Sequence, residues 1–133
     1  MSLMSCLLVM IGGALGTLAR YAVSVLAAPI SRELPIATII INVTGSFVIG
    51  LFATLTMAQG RFPVSDQARL FVMVVLCGGY TTFSSFSLQT LDLLRDGALG
   101  RAAVNVAASV ILCILAVAAG YLLAAWINGH RPL

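Results

Sequence analysis

The chain has 133 residues, 61% of them hydrophobic and 8% charged, with a formal net charge of +3 carried by arginine alone, since no lysine occurs. Such a balance is far from that of a soluble domain and marks an integral membrane protein. Apolar stretches at residues 3–28, 35–57, 70–94 and 102–127 each reach the ~20 residues that a spanning helix needs. They use nearly the whole length, which leaves no expected soluble catalytic or nucleotide-binding domain, and no Gly-rich phosphate loop ending in Lys or Arg-rich nucleic-acid patch is present.

The first stretch reads as a mature helix rather than a signal peptide. It has no basic start, exceeds the length of a signal h-region and carries Arg20 inside it. Gly12, Gly13 and Gly16 provide small-residue spacing suited to close helix contact. Arg20 has two readings: it snorkels to the nearer interface, or it is a fixed positive charge that draws an anion to a vestibule.

On the second stretch Thr38 and Asn42 are four apart, and Gly45 and Ser46 continue their face with small residues. The third stretch contains the most informative run of the chain, Gly78-Gly79-Tyr80-Thr81-Thr82-Phe83-Ser84-Ser85-Phe86-Ser87. Helix-breaking, hydroxyl-rich sequence at membrane depth is tolerated only where it is buried in protein or lines a cavity. The glycine pair is the expected break at the middle of this helix. The first half would end there with free carbonyls suited to a small cation, and the second would begin near Thr81. A kink that merely brings two helices together accounts for the same glycines. Phe83 and Phe86, three apart, share one face of the second half, and Thr82, Ser84, Ser85 and Ser87 interleave with them. Ring edges carry partial positive charge and can face a partly dehydrated anion.

The fourth stretch repeats polar residues at Asn105, Ser109 and Cys113. Each could be interhelical glue, but together with the interrupted helix they form a polar track. Cys6, Cys77 and Cys113 lie in apolar spans without metal-ligand spacing and read as small packing residues. His130 stands alone in the tail without partners for a metal.

Orientation rests on the arginines outside the spans. The N-terminal segment, second loop and tail carry Arg61, Arg69 and Arg131, while the first and third loops carry Arg32, Arg95 and Arg101. A tie of this kind predicts insertion both ways up and an antiparallel homodimer, an inverted repeat made from two copies of one chain. Alternatively, the tie is accidental and residues elsewhere fix one topology.

The segments Gly16-Thr17-Leu18-Ala19-Arg20-Tyr21, Asn42-Val43-Thr44-Gly45-Ser46 and the run from Gly78 to Ser87 appear in an order that resembles the Fluc, or CrcB, family of fluoride channels over essentially the full length. The resemblance implies an all-α fold with four transmembrane helices per chain in an antiparallel dual-topology homodimer, with two fluoride pores and a structural sodium ion at the dimer interface. It identifies Phe83 and Phe86 as pore-lining rings and Asn42 as the pore asparagine, with Thr38 and Ser109 on polar tracks and Thr82 and Ser84 beside the rings. Arg20 matches the vestibule arginine, and the backbone carbonyls of Gly78 and Thr81 match the sodium ligands. Gln89 would extend the polar route. Cys113 stands where a small hydroxyl residue is expected, and a thiol is a weaker donor. The implied activity is passive export of cytoplasmic fluoride across the bacterial inner membrane by a multi-pass protein, with fluoride, a second copy of the chain and the lipid bilayer as partners.

Two other functions fit a small four-helix membrane protein. A proton-coupled multidrug exporter needs a carboxylate within the membrane, whereas Glu33, Asp66, Asp92 and Asp96 fall in or near loops, Asp92 least clearly. A non-transporting scaffold would tolerate changes at Phe83, Phe86 and Asn42. No nucleophile and base pair or metal-ligand set suggests an enzyme.

Overall fold

A computed structural model describes residues 3–57 and 60–129 as helices joined by short connections. His130 and Arg131, the latter one arm of the arginine tie, lie outside the described residues. Helix α1 is Leu3–Leu26, α2 is Ile36–Leu55 and the last helix, α5, is Leu99–Ile127. The third span, Asp66–Arg95, consists of two helices. Its first half, α3, opens as Asp66–Leu70, widens into π turns over Phe71–Cys77 and closes with Gly78–Tyr80; its second half, α4, is Phe83–Arg95. The four spans are thus long and apolar enough to cross a membrane. Their ends fall within a few residues of the expected ranges, except that the third begins at Asp66 rather than 70. Ser65 caps this earlier start by accepting from the Ala68 amide.

Local chemistry sets the helix ends. After Leu26 a single 3₁₀ turn, Ala28–Ile30, contains Pro29, whose ring cannot donate to a continuing helix. Ser31 then bridges α1 to α2: its hydroxyl donates to the Ala27 carbonyl at 2.8 Å and accepts from the Ala37 amide at 2.9 Å. At the far end of α2 the last carbonyls all find donors. Thr56 Oγ1 reaches Phe52 at 2.7 Å, Arg69 Nη2 reaches Ala53 at 2.9 Å and Asn128 Nδ2 reaches Thr54 at 2.9 Å. Helix α4 ends in a Schellman motif, with Gly97 at φ 73° and the Ala98 amide bonded back to Leu93, so the turn into α5 is tight.

Small residues bring the helices together. Helices α2 and α5 run side by side in the same direction. A methyl group at Gly50 would strike the Val117 carbonyl, and one at Gly120 would strike the Phe47 carbonyl. Ala102, Ala124 and Ala125 are buried along α5. Helix α1 meets α3 through Gly12, against Phe71 and Val75, and through Gly13, whose carbonyl lies 2.9 Å from where a Cβ on Gly79 would stand. Large apolar side chains such as Leu3, Leu18, Ile114 and Trp126 point outward. That distribution suits a chain whose surroundings are lipid or another helix rather than water.

Candidate functional site

The interruption of the third span is displaced from its expected place. Gly78 and Gly79 form the last helical turn of α3, and the chain becomes extended at Thr81 (ψ 163°) and Thr82 (φ −154°, ψ 112°). The cause lies on α2. Asn42 Oδ1 accepts from the Thr82 amide at 2.8 Å while Asn42 Nδ2 donates to the Thr82 carbonyl at 3.0 Å. One primary amide thus satisfies both polar groups of an extended peptide, as a neighbouring strand would. This meets the requirement that backbone groups at membrane depth find partners within the protein. Thr82, itself buried, then caps α4 by accepting from the Ser85 amide at 3.2 Å.

The diverted Thr82 amide would otherwise have bonded to the Gly78 carbonyl four residues back, so that carbonyl ends α3 without its helical donor. The Thr81 amide and hydroxyl both donate to the Cys77 carbonyl, at 2.9 and 3.0 Å. Arg20 is half-buried, and its Nη1 lies 3.5 Å from the Thr81 carbonyl. The Gly78 carbonyl, at the negative end of a helix, is of the oxygen type that a hard cation takes, whereas the Thr81 carbonyl has the Arg20 guanidinium beside it. The guanidinium takes one lone pair of that oxygen.

On one side of the break lies a cavity of about 310 Å³. Asn42 and Ser46 of α2, Phe83 and Phe86 of α4, and Ser109, Val110, Cys113 and Ile114 of α5 line it together with Thr81. The two rings stand 5.3 Å apart between centroids and are inclined by 47°. Phe83 is 78% exposed in the single chain. Ser109 is buried, and its hydroxyl has no partner among the described residues. Beyond Ser109 the wall turns apolar, with Cys113 between Val110 and Ile114. On the other side of the break a second cavity of about 280 Å³ is lined by Thr17, Arg20, Thr38, Thr82, Ser85 and Gln89, among others.

The predicted residues therefore divide. Asn42, Phe83, Phe86 and Ser109 converge on the first cavity, while Arg20, Thr38 and Thr82 belong to the second. Ser84 lines neither; its hydroxyl lies 3.2 Å from Thr82 Oγ1. Thr38 and Asn42 share a helix face, yet the Thr82 peptide held by Asn42 lies between the two spaces. Asn105 is not at the first cavity either, although Ser109 one turn later is. Gln89 reaches from the second cavity into a third of about 210 Å³ that also holds Glu33, Asp92 and Asp96 beside the α1–α2 connection, so Asp92 stands at the end of the span. The extended Thr82 peptide and its clamp escaped sequence reasoning. Only the presence of an asparagine at membrane depth hinted at a backbone in need of partners.

A family model described as CrcB-like protein, Camphor Resistance (CrcB), matches residues 7–121. A protein named fluoride-specific ion channel FluC from Methylobacterium radiotolerans is 74% identical over 129 residues, which cover 97% of this chain and 90% of the relative. Its namesake from Gluconobacter oxydans is 70% identical over 129 residues, covering 96% and 90%. That from Methylocella silvestris is 54% identical over 126 residues, covering 94% and 96%.

Proposed function

Since this chain belongs to the CrcB family, we propose that it is a fluoride-selective channel, not an enzyme, which lets cytoplasmic fluoride leave passively across the bacterial inner membrane. The observation that carries this reading is the convergence of Asn42, Ser109, Phe83 and Phe86 on one cavity beside a broken helix. Fluoride is small and strongly hydrated, so a selective path must replace its water without holding it too tightly. The unpartnered Ser109 hydroxyl is a free donor in a buried place. Asn42 Nδ2 has two hydrogens; one is used on Thr82, which leaves the other for an anion. The edges of Phe83 and Phe86 add weak, non-binding positive potential. On the far side of the break the Arg20 guanidinium with Thr38 and Thr82 would form the vestibule and the remainder of the polar route, with Ser84 contributing only through its contact with the Thr82 hydroxyl.

We further propose that two chains pair in antiparallel fashion, with one pore in each half and a structural sodium at the centre. The arginine balance supports dual insertion even after internal pairing. Arg69 is used on the α2 end and Arg101 forms an ion pair with Glu33 at 3.3 Å, one from each side of the tie. The carbonyls of Gly78 and Thr81 from both copies would hold the sodium, whose positive charge would offset helix C-terminal dipoles facing one another.

Efflux from liposomes containing the purified protein, followed by a fluoride electrode with valinomycin clamping the potential and chloride as the control anion, tests the proposal. Fast fluoride release with negligible chloride release is expected, and Phe83→Ile should abolish it in an intact assembly. Silence from folded, reconstituted protein would remove the channel reading and leave the exporter and the scaffold. Topology reporters at the C-terminus should report both orientations; a single orientation would remove the antiparallel dimer.

A further inference from the structure

Helix α4 carries both phenylalanines, yet none of its side chains is buried in the chain. Its inner face, with Phe86 and Thr90, is only half-buried against its neighbours, so hydrogen bonds carry a large share in fixing its rotation and height. Among the described residues two interhelical side-chain clamps reach it. One is Asn42 on the Thr82 peptide at its start. The other lies two turns on, where Asn105 Nδ2 of α5 donates to Thr90 Oγ1 at 2.9 Å. The Thr90 hydroxyl in turn donates to the Phe86 carbonyl at 2.7 Å. Phe86 and Thr90, four apart, share one face of α4, so the bond that ties Thr90 to α5 acts on the turn from which the Phe86 ring leaves the helix.

Asn105 is 1% exposed, and its Oδ1 has no partner among the described residues. An oxygen acceptor repels an anion, and Asn105 is absent from the wall of the first cavity. Its place on the Ser109 face of α5 therefore does not make it part of the path. We infer that Asn105 is a positioning residue, which acts through Thr90 to hold the Phe86 ring, so that Asn42 and Asn105 together suspend the half-helix that carries the rings. The functional half of this inference rests on the fluoride-channel reading above; the structural half does not.

The two halves separate in one set of variants. Asn105→Leu removes the donor to Thr90 and also removes a buried oxygen that has no partner, so the change in stability is partly offset. Thr90→Val removes the hydroxyl at nearly constant shape, while Thr90→Ser keeps it. With 4-fluorophenylalanine at position 86, the unaltered reconstituted protein should give one narrow fluorine resonance. Asn105→Leu and Thr90→Val should each broaden or split it, and Thr90→Ser should not. Maximal fluoride efflux should fall about tenfold in the two disruptive variants, a factor that corresponds to about 1.4 kcal/mol and so to the net value of one hydrogen bond. The double variant should be no worse than either single one, because both cut the same link. A single narrow line in both disruptive variants would overturn the inference. Lost flux with an unchanged line would overturn it too, by making Asn105 part of the path itself. If the unaltered protein carries no fluoride at all, the channel reading fails, and the resonance still decides whether Asn105 holds the ring.

Discussion

Helices α2 and α5 and the half-helix α4 are held by opposite means. The α2–α5 contact is a fit of shapes: Gly50 faces Val117, Gly120 faces Phe47, and alanines fill the rest, with the helix backbones close enough that no added methyl group is accommodated. Helix α4 has no fully buried side chain, and two asparagines tie it to its neighbours. In a membrane the hydrophobic effect does not press helices together, so close van der Waals packing and hydrogen bonds are the remaining means. The difference places shape complementarity in the α2–α5 frame and directional hydrogen bonds at the ring-bearing element, whose Phe83 is left exposed in the single chain.

The largest effect should come from breaking the frame. Gly120→Val sets a branched side chain against the Phe47 carbonyl and against the Leu51 amide nitrogen, 2.7 Å from the first added carbon, and both neighbours are backbone that cannot turn aside. Overpacking costs about 1–3 kcal/mol and occasionally more, and rigid backbone neighbours put this site at the upper end. The variant should fail to give monodisperse protein in detergent, and Gly120→Ala should melt at a clearly lower temperature. A Gly120→Val protein that melts like the unaltered one would mean that shape does not hold α2 to α5.

Next in size is the first asparagine. Asn42→Ala leaves the Thr82 N–H and C=O both unpaired at membrane depth, at ~1–3 kcal/mol for each orphaned group, so the break should loosen, the thermal midpoint fall and fluoride efflux vanish. Asn42→Asp keeps an acceptor for the Thr82 amide but sets a carboxylate oxygen against the Thr82 carbonyl and adds a negative charge beside the cavity. It should abolish efflux too, and the repulsion and the unpaired charge at membrane depth should lower the thermal midpoint as well. Equal efflux from the unaltered chain and both variants would separate the break from the path.

A smaller loss is expected at Thr82, where the hydroxyl caps α4. Replacing such a cap costs ~1 kcal/mol, so Thr82→Val should lower the melting temperature modestly and Thr82→Ser should restore it. If Thr82→Val is silent, the Asn42 clamp alone sets the start of α4.

Much of this arrangement was legible in the sequence because its causes are local. The four spans follow from runs of apolar residues, and the polar run from Gly78 to Ser87 marked an interruption. The position of that interruption was not legible. Gly79 invited a break because glycine lacks a side chain, but that absence is needed for the approach of α1 at Gly13. The break itself is made by a partner 40 residues away on α2. The polar stripe of α5 misled in the same way. Ser109 faces the cavity while Asn105, one turn earlier, is taken up by Thr90 on another helix. Helical periodicity gives the face on which a residue lies; what waits beside that face depends on contacts distant in sequence. The π turns at Phe71–Cys77 left no signal that composition could reveal.

The smallest effect within one chain, and the sharpest test of the assembly, belongs to Gly78. An added Cβ there meets nothing within 4 Å, and the residue's backbone is not in the left-handed region, so Gly78→Ala introduces no clash. By helix propensity it should even favour the last turn of α3, by up to ~1 kcal/mol. Gly79→Ala is the matched contrast, since its Cβ would stand 2.9 Å from the Gly13 carbonyl and must force α1 and α3 apart. Any harm from Gly78→Ala must therefore arise from something outside the single chain. If a second copy brings its own break to this point around a sodium ion, the methyl group should weaken dimerisation and its dependence on sodium while Gly79→Ala destabilises each chain directly. Dimer fraction in detergent measured with sodium and with a bulky organic cation distinguishes the two. A Gly78→Ala protein that dimerises as before and with the same response to sodium would leave the freed carbonyl of α3 without a partner across the interface and would remove the ground for a central ion.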